Sequence, residues 1–246
     1  MSHKLILQEG AILIADAHYS DKYPHFFSFL KALDTGAIQT PQLILMGDMF
    51  ELLFGVIKTT LLEHEEEVFL LNKLSEKIDI IYFEGNHDFK LKTVFPKIKT
   101  VPLEAQPQMF RFKTQDVLLS HGDTNTPLSY QIYTKLIRNS FILTVIGFMD
   151  SLCSQCILNW LKKRGMKKNP CYKMPLFKNI IKKRLISLKN SDADIVLEGH
   201  FHQDVSFNIY GFKYINLASF ACNRKYFVVQ SYKEQLILHE TFFKEL

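Results

Sequence analysis

With 246 residues, 47% of them apolar, the chain is long enough to bury one large core or a core carrying an insertion, which excludes a disordered protein. The longest apolar run, FILTVIGFM at 141–149, stops at Asp150, well short of the ~20 residues a membrane span needs. The net charge of +5 hides an asymmetry: residues 124–190 hold 13 Lys or Arg and one acid, Asp150, for +12, whereas the rest, with 17 bases and 24 acids, carries −7; that block calls for an anionic partner, whether nucleic acid, a phosphate-bearing substrate or anionic lipid.

In chain order, AILIAD (11–16) reads as a strand ending in Asp16, with His18 two residues on, and PHFFSFLKAL (24–33) as a helix. QLILMGD (42–48) is a strand ending in Asp48, and LLEHEEEVFLLNKLSEK (61–77) a second helix. The strand IDIIYFEGN (78–86) delivers Asn86, followed by His87 and Asp88, and DVLLSHGD (116–123) delivers His121. From Tyr130 to Asn190 the pattern changes to apolar and basic residues at helical spacing, with a turn at KKRGMKKNP (162–170). This predicts a basic helical insertion over 124–190 within a domain formed by 1–123 and 191–246. The strand ADIVLEGH (193–200) brings His200 and His202, and strand-like pieces FNIYGFKYINLAS and KYFVVQSYKEQLILHETFF follow. Alternating strands and helices indicate an α/β fold, in which chemistry gathers beyond the carboxyl ends of strands. All five runs place polar residues there.

Together these ends offer three carboxylates, five histidines and one amide, more than one metal ion needs. Nitrogen and oxygen ligands without thiolate suit Mn, Fe, Zn or similar ions. Two such ions neutralise phosphate charge and generate hydroxide from water, the chemistry of phosphoester hydrolysis. In extended backbone residues i and i+2 share a face, so Asp16 with His18, and His200 with His202, are each expected to point together.

The blocks DAH (16–18), GDMFE (47–51), GNHD (85–88), HGD (121–123) and GHFH (199–202) resemble, in the same order, those of the calcineurin-like metallophosphoesterases. The resemblance implies a four-layer αββα sandwich of two mixed sheets, with two divalent transition-metal ions such as Mn2+, Fe or Zn. Asp16, His18 and His202 would hold the first ion, Asn86, His121 and His200 the second, and Asp48 would bridge them. His87 would contact the scissile phosphate and protonate the leaving oxygen, with Asp88 orienting its ring; metal-bound hydroxide would attack without a covalent intermediate. GDMFE, the chain length and the size of the insertion are similar to the UDP-2,3-diacylglucosamine hydrolases of lipid A synthesis, which release UMP and a lipid monophosphate. In that family the insertion is a helical lid, and YQIYTKLIRN (130–139) looks like its first helix, making Tyr130 and Arg138 candidate substrate contacts. The chain departs from this pattern at His87, where those enzymes commonly have arginine, at HGDTNTPLSY, which lacks their acidic pair, and at GHFHQD, which lacks a base after His202.

The expected partner is a nucleotide-linked lipid at an anionic membrane surface, on the cytoplasmic side of the inner membrane. Two further readings stand beside it: a phosphodiesterase or nuclease acting on nucleotides or nucleic acid, and a binding module that kept the fold without catalysis. No N-terminal apolar stretch resembles a signal peptide, and the four cysteines are too few and too clustered to form a disulfide framework. Cys153, Cys156 and Cys171 could suggest zinc, but no fourth ligand lies nearby in sequence, so small helix-packing residues are expected. Lys162, Lys163, Arg164, Lys167 and Lys168 form a basic cluster expected to meet a membrane surface.

Overall fold

The computed structural model describes residues 4–124, 128–167 and 169–245, without the side chains of 128–131 and 133. The first half runs β1 (Leu5–Ile6), β2 (Ile12–Ile14), α1 (His25–Asp34), β3 (Gln42–Leu45), β4 (Leu53–Phe54), α2 (Lys58–Glu63), α3 (Glu65–Leu74), β5 (Asp79–Phe83), β6 (Asp88–Phe89), β7 (Lys99–Val101), β8 (Gln108–Phe112) and β9 (Gln115–Ser120). The helices α4 (Leu128–Ile137), α5 (Ser140–Leu152), α6 (Cys156–Gly165) and α7 (Phe177–Arg184) follow. The chain closes with β10 (Ile195–Glu198), β11 (Val205–Ile209), β12 (Phe212–Asn216), α8 (Phe220–Asn223), β13 (Lys225–Tyr232) and β14 (Gln235–Phe242).

Two six-stranded sheets form, in the orders β14-β13-β2-β3-β5-β7 and β1-β8-β9-β10-β12-β11. Both are mixed. In the first, β2, β3, β5 and β7 run parallel, with Leu13 opposite Ile44 and Ile44 opposite Ile81, while β13 and β14 are antiparallel additions. In the second, β9, β10 and β12 run parallel, with Leu119 opposite Leu197 and Leu197 opposite Ile215. Strands covered on both faces have no reason to alternate with polar residues, which explains the unbroken apolar runs in the sequence.

Those runs divide by parity. Leu13, Ile44, Ile81 and Phe83 meet Phe110, Val117, Leu119 and Leu197 in the core between the sheets. Their neighbours Ile12, Ile14, Leu43, Leu45 and Tyr82 face outward against Phe26, Phe29 and Leu30 of α1 and Leu70, Leu71 and Leu74 of α3. On the far side Leu118, Val196 and Tyr214 pack against Phe177 and Ile181 of α7. The result is a four-layer αββα sandwich. Although α7 lies within the expected insertion of 124–190, its apolar stripe covers the second sheet, so it serves as an outer layer of the domain.

The helices α4 to α6 cap a different edge. Leu143 and Leu158, with Ile137, Ile146 and Leu161, pack on Leu52, Phe54, Ile57 and Phe89 beside the short parallel pair β4–β6. Asn139 starts α5 by accepting from the Phe141 and Ile142 amides. Asp150, the only acid of the segment, is buried and accepts from the Ile157 and Leu158 amides in the first turn of α6. No single helix among the described residues is long and apolar enough to cross a membrane, and α5 and α6 meet at 105°. The cysteines correct the packing expectation: Cys153 pairs with Cys156 and Cys171 with Cys222, leaving no thiol for zinc. The second pairing joins residues 51 apart and was hidden from sequence spacing.

Candidate metal centre

Each expected ligand lies just past a strand end. Asp16 and His18 follow β2, Asp48 follows β3, Asn86 follows β5, His121 follows β9, and His200 and His202 follow β10. Asp16, His18, Asp48, His200 and His202 have φ of 52°, 42°, 53°, 63° and 58°. Residues with side chains adopt this left-handed region at a cost, and such strain gathers where a site demands it. The extended-strand argument for the i, i+2 pairs is therefore corrected: the chain has left the strand, and left-handed turns aim the side chains. They bring Asp16 and His18 into one cluster but divide His200 and His202 between two.

One cluster holds Asp16, His18 and His202 and a second Asp48, His121 and His200, while His18, Glu51 and His87 form a third group; within each the possible ligand atoms lie within 4.8 Å of one another. His202 Nε2 is 3.2 Å from Asp16 Oδ1, and His121 Nε2 is 3.5 Å from Asp48 Oδ2. His200 Nδ1 lies only 3.2 Å from His121 Nε2. Asn86 Oδ1 is buried without a hydrogen-bond partner. An orphaned amide oxygen beside crowded imidazoles and carboxylates has the donor chemistry of a divalent transition-metal site. Close approach fixes the glycines here: a Cβ on Gly85 would overlap Asp48 Oδ1, and one on Gly47 would overlap the His121 ring.

The charges agree. Burial alone would raise the Asp48 carboxyl, but His121, His87 and His18 outweigh it and hold it well below its usual value. Asp16 is likewise lowered, burial being overcome by His202 and His121. His200, buried and next to His121, falls to about 3 and stays neutral, the form that binds metal. Against the effect of burial, His121 is pushed well up by Asp48, Asp123 and Asp16, and His202 is raised by Asp16. The cavity attracts positive charge.

The imidazoles are oriented from behind. His121 Nδ1 is 2.9 Å from the Met46 carbonyl and His202 Nδ1 is 3.1 Å from that of Pro170, so each donates there and keeps Nε2 for the site. His87 Nδ1 is 2.7 Å from the Glu51 carbonyl, and the Glu51 carboxylate sits 3.3 Å from His18 Nδ1 and 3.7 Å from His87 Nδ1. Glu51, the last residue of GDMFE, thus lies behind two site histidines, a role that the sequence did not disclose because a loop Glu carries no mark of its neighbours.

Two expected roles are corrected. Asp88 does not orient His87: it accepts from the amides of Asp48, Met49 and Gly85 and from the Tyr82 hydroxyl, and so joins the turns carrying Asp48 and Asn86. Burial and Asp48 raise its carboxyl to about 7. Arg138 does not face the cavity; 5% exposed, it donates to the Gly85 carbonyl at 2.6 Å, lies against Glu84 and Asp123, and stacks on Phe89. The side chain of Tyr130 lies outside the described residues. An open cavity of about 440 Å3 reaches the clusters; His18, Asp48, Glu51, Asn86, His87, His200 and His202 share its lining with Tyr23, Gly165, Pro170, Tyr172, Met174 and Phe201.

Comparison with known proteins is consistent with this geometry. Curated relatives include UDP-2,3-diacylglucosamine hydrolases of Wigglesworthia glossinidia brevipalpis, 28% identical over 78% of this chain and 79% of that one, and of Blochmanniella pennsylvanica, 26% identical over 81% of each. Another, from Psychromonas ingrahamii, is 25% identical over 78% of this chain and 80% of its own. The calcineurin-like phosphoesterase family matches residues 11–204, a span that takes in every candidate ligand of both clusters. With the sandwich and the paired clusters behind that match, the chain belongs to the calcineurin-like phosphoesterase family and is a phosphoester hydrolase.

Proposed function

We propose that the protein hydrolyses the pyrophosphate of a nucleotide-linked lipid of the UDP-2,3-diacylglucosamine type, releasing UMP and diacylglucosamine 1-phosphate. The observation that supports the reading most is the cavity, where candidate ligands from both clusters share the lining with the apolar and aromatic residues Tyr23 and Phe201 and, from the inserted segment, Pro170, Tyr172 and Met174. Asp16, His18 and His202 would hold one ion, Asn86, His121 and His200 the other, with Asp48 between them. When bound, two ions such as Mn2+ would neutralise phosphate charge and make water a nucleophile near neutral pH.

The protein's own groups do the rest. A water oxygen forms the new bond to phosphorus, and the bond to the leaving oxygen breaks. With its Nδ1–H donating to the Glu51 carbonyl, His87 as an imidazolium presents Nε2–H to the leaving oxygen, hands it that proton and is left as the neutral Nδ1–H tautomer. The exposed Phe141, Phe148, Met149 and Leu152 of α5 and the basic last turn of α6 support docking to an anionic bilayer, and in this reading the enzyme works at the cytoplasmic face of the inner membrane.

UMP release from UDP-2,3-diacylglucosamine with added Mn2+ tests the substrate; cleavage of bis(p-nitrophenyl) phosphate without UMP release would overturn it. One observation favours a simpler phosphodiester: among the described residues lining the cavity, none is Lys or Arg to meet a second phosphate. If nucleic acid is the substrate, oligonucleotide cleavage will fall steeply with salt.

A further inference from the structure

The inserted segment reaches the site through a residue with no side chain. Gly165 ends α6 and lines the cavity, and a Cβ at that position would overlap Glu51 Oε1. Glu51 is 5% exposed, and its carboxylate is enclosed by Gly165 on one side and by the Nδ1 atoms of His18 and His87 on the other. A Glu side chain can swing aside at small steric cost. Here the swing would carry the negative charge away from both imidazoles, one expected on a metal and the other on the leaving oxygen. The same end of α6 is held down by Lys162 against Glu63 and by Lys22, which donates to the Met166 carbonyl.

We propose that Gly165 is a positioning residue for hydrolysis. By letting α6 close on Glu51 without a side chain, it pins that carboxylate against His18 and His87, so that docking of the inserted helices and assembly of the site are one event. The proposal rests on the hydrolase reading of the site but not on any particular lipid, so a reporter diester and a binding measurement test it separately from the natural substrate.

Gly165→Ala is the informative variant, because alanine is the better helix former at a helix end and the chain should fold. With bis(p-nitrophenyl) phosphate, kcat should fall roughly 10-fold to 100-fold with KM changed by less than about threefold, the usual cost of misplacing a catalytic group or the partner of a ligating histidine. Calorimetry on metal-free protein should show Mn2+ binding weakened at least about tenfold. Adding Glu51→Asp shortens the carboxylate and makes room for the new methyl, so the double variant should lose less than the two single losses multiplied. The proposal is overturned if Gly165→Ala keeps wild-type kcat and Mn2+ affinity, or if the two losses simply multiply. The calorimetric comparison decides even without turnover.

Discussion

Asn86 is the residue hardest to explain without a cation, because a buried amide oxygen with no donor costs about 1–3 kcal/mol. Asn86→Ala should therefore leave the metal-free protein as stable as before, or up to ~1 kcal/mol more stable, while its metal content falls. Thermal melts with and without Mn2+ and elemental analysis measure both effects. Arg138 behaves in the opposite way. Its removal leaves Glu84 and Asp123 buried without their cation, so Arg138→Ala should cost about 3–5 kcal/mol in denaturant unfolding. A stable variant with only a raised KM would restore Arg138 to the substrate. At this scale the sequence was informative where chemistry is local: Asp, His and Asn at strand ends name themselves as ligands. It is silent on direction: nothing in GNHD shows that Asp88 turns to backbone amides and not to the His87 ring, nothing in YQIYTKLIRN that Arg138 points inward, and nothing in GDMFE that Glu51 meets two histidines.

The strands were legible because burial on both faces writes an unbroken apolar run. The helices of the insertion were harder. Phe177, Ile181 and Leu185 form a stripe four residues apart, but Lys178, Lys182, Lys183 and Arg184 on the exposed and part-exposed turns between them gave α7 the charge of its neighbours and concealed its place on the sheet. Disulfide partners are equally invisible to spacing. Cys171 precedes α7 in the segment whose Pro170 and Tyr172 wall the cavity, and Cys222 lies in α8, beside the Ser219 hydroxyl and Ala221 amide that donate to the Asp16 carbonyl. A crosslink closing a loop of this size removes unfolded-state freedom, so replacing Cys171 and Cys222 by serine should cost about 4 kcal/mol. The same change at Cys153 and Cys156, three residues apart, should cost less. Unfolding curves of the two double variants under oxidising conditions make the comparison.

Across the whole molecule, the +12 of residues 124–190 divides into internal and outward charge. Arg138 and Arg184 are used against Glu84, Asp123 and Glu198, and Lys162 against Glu63. Lys163, Arg164, Lys167, Lys182 and Lys183 remain exposed. Together with the exposed apolar side chains of α5, Lys163 and Arg164 of α6 should draw the protein onto vesicles containing phosphatidylglycerol; co-sedimentation should weaken with added salt and with the pair Phe148→Asp and Leu152→Asp. Binding that ignores both changes would remove the membrane surface from the proposed function. The two sheets matter to the chemistry because their strand ends converge, delivering seven ligand candidates from five separated segments to adjoining clusters. That convergence is tested most directly by titrating metal-free protein with Mn2+ while following bis(p-nitrophenyl) phosphate hydrolysis: turnover should be absent without metal and reach its plateau at two equivalents per chain, whereas hydrolysis by the metal-free protein, or a plateau at one equivalent, would contradict a dimetal centre.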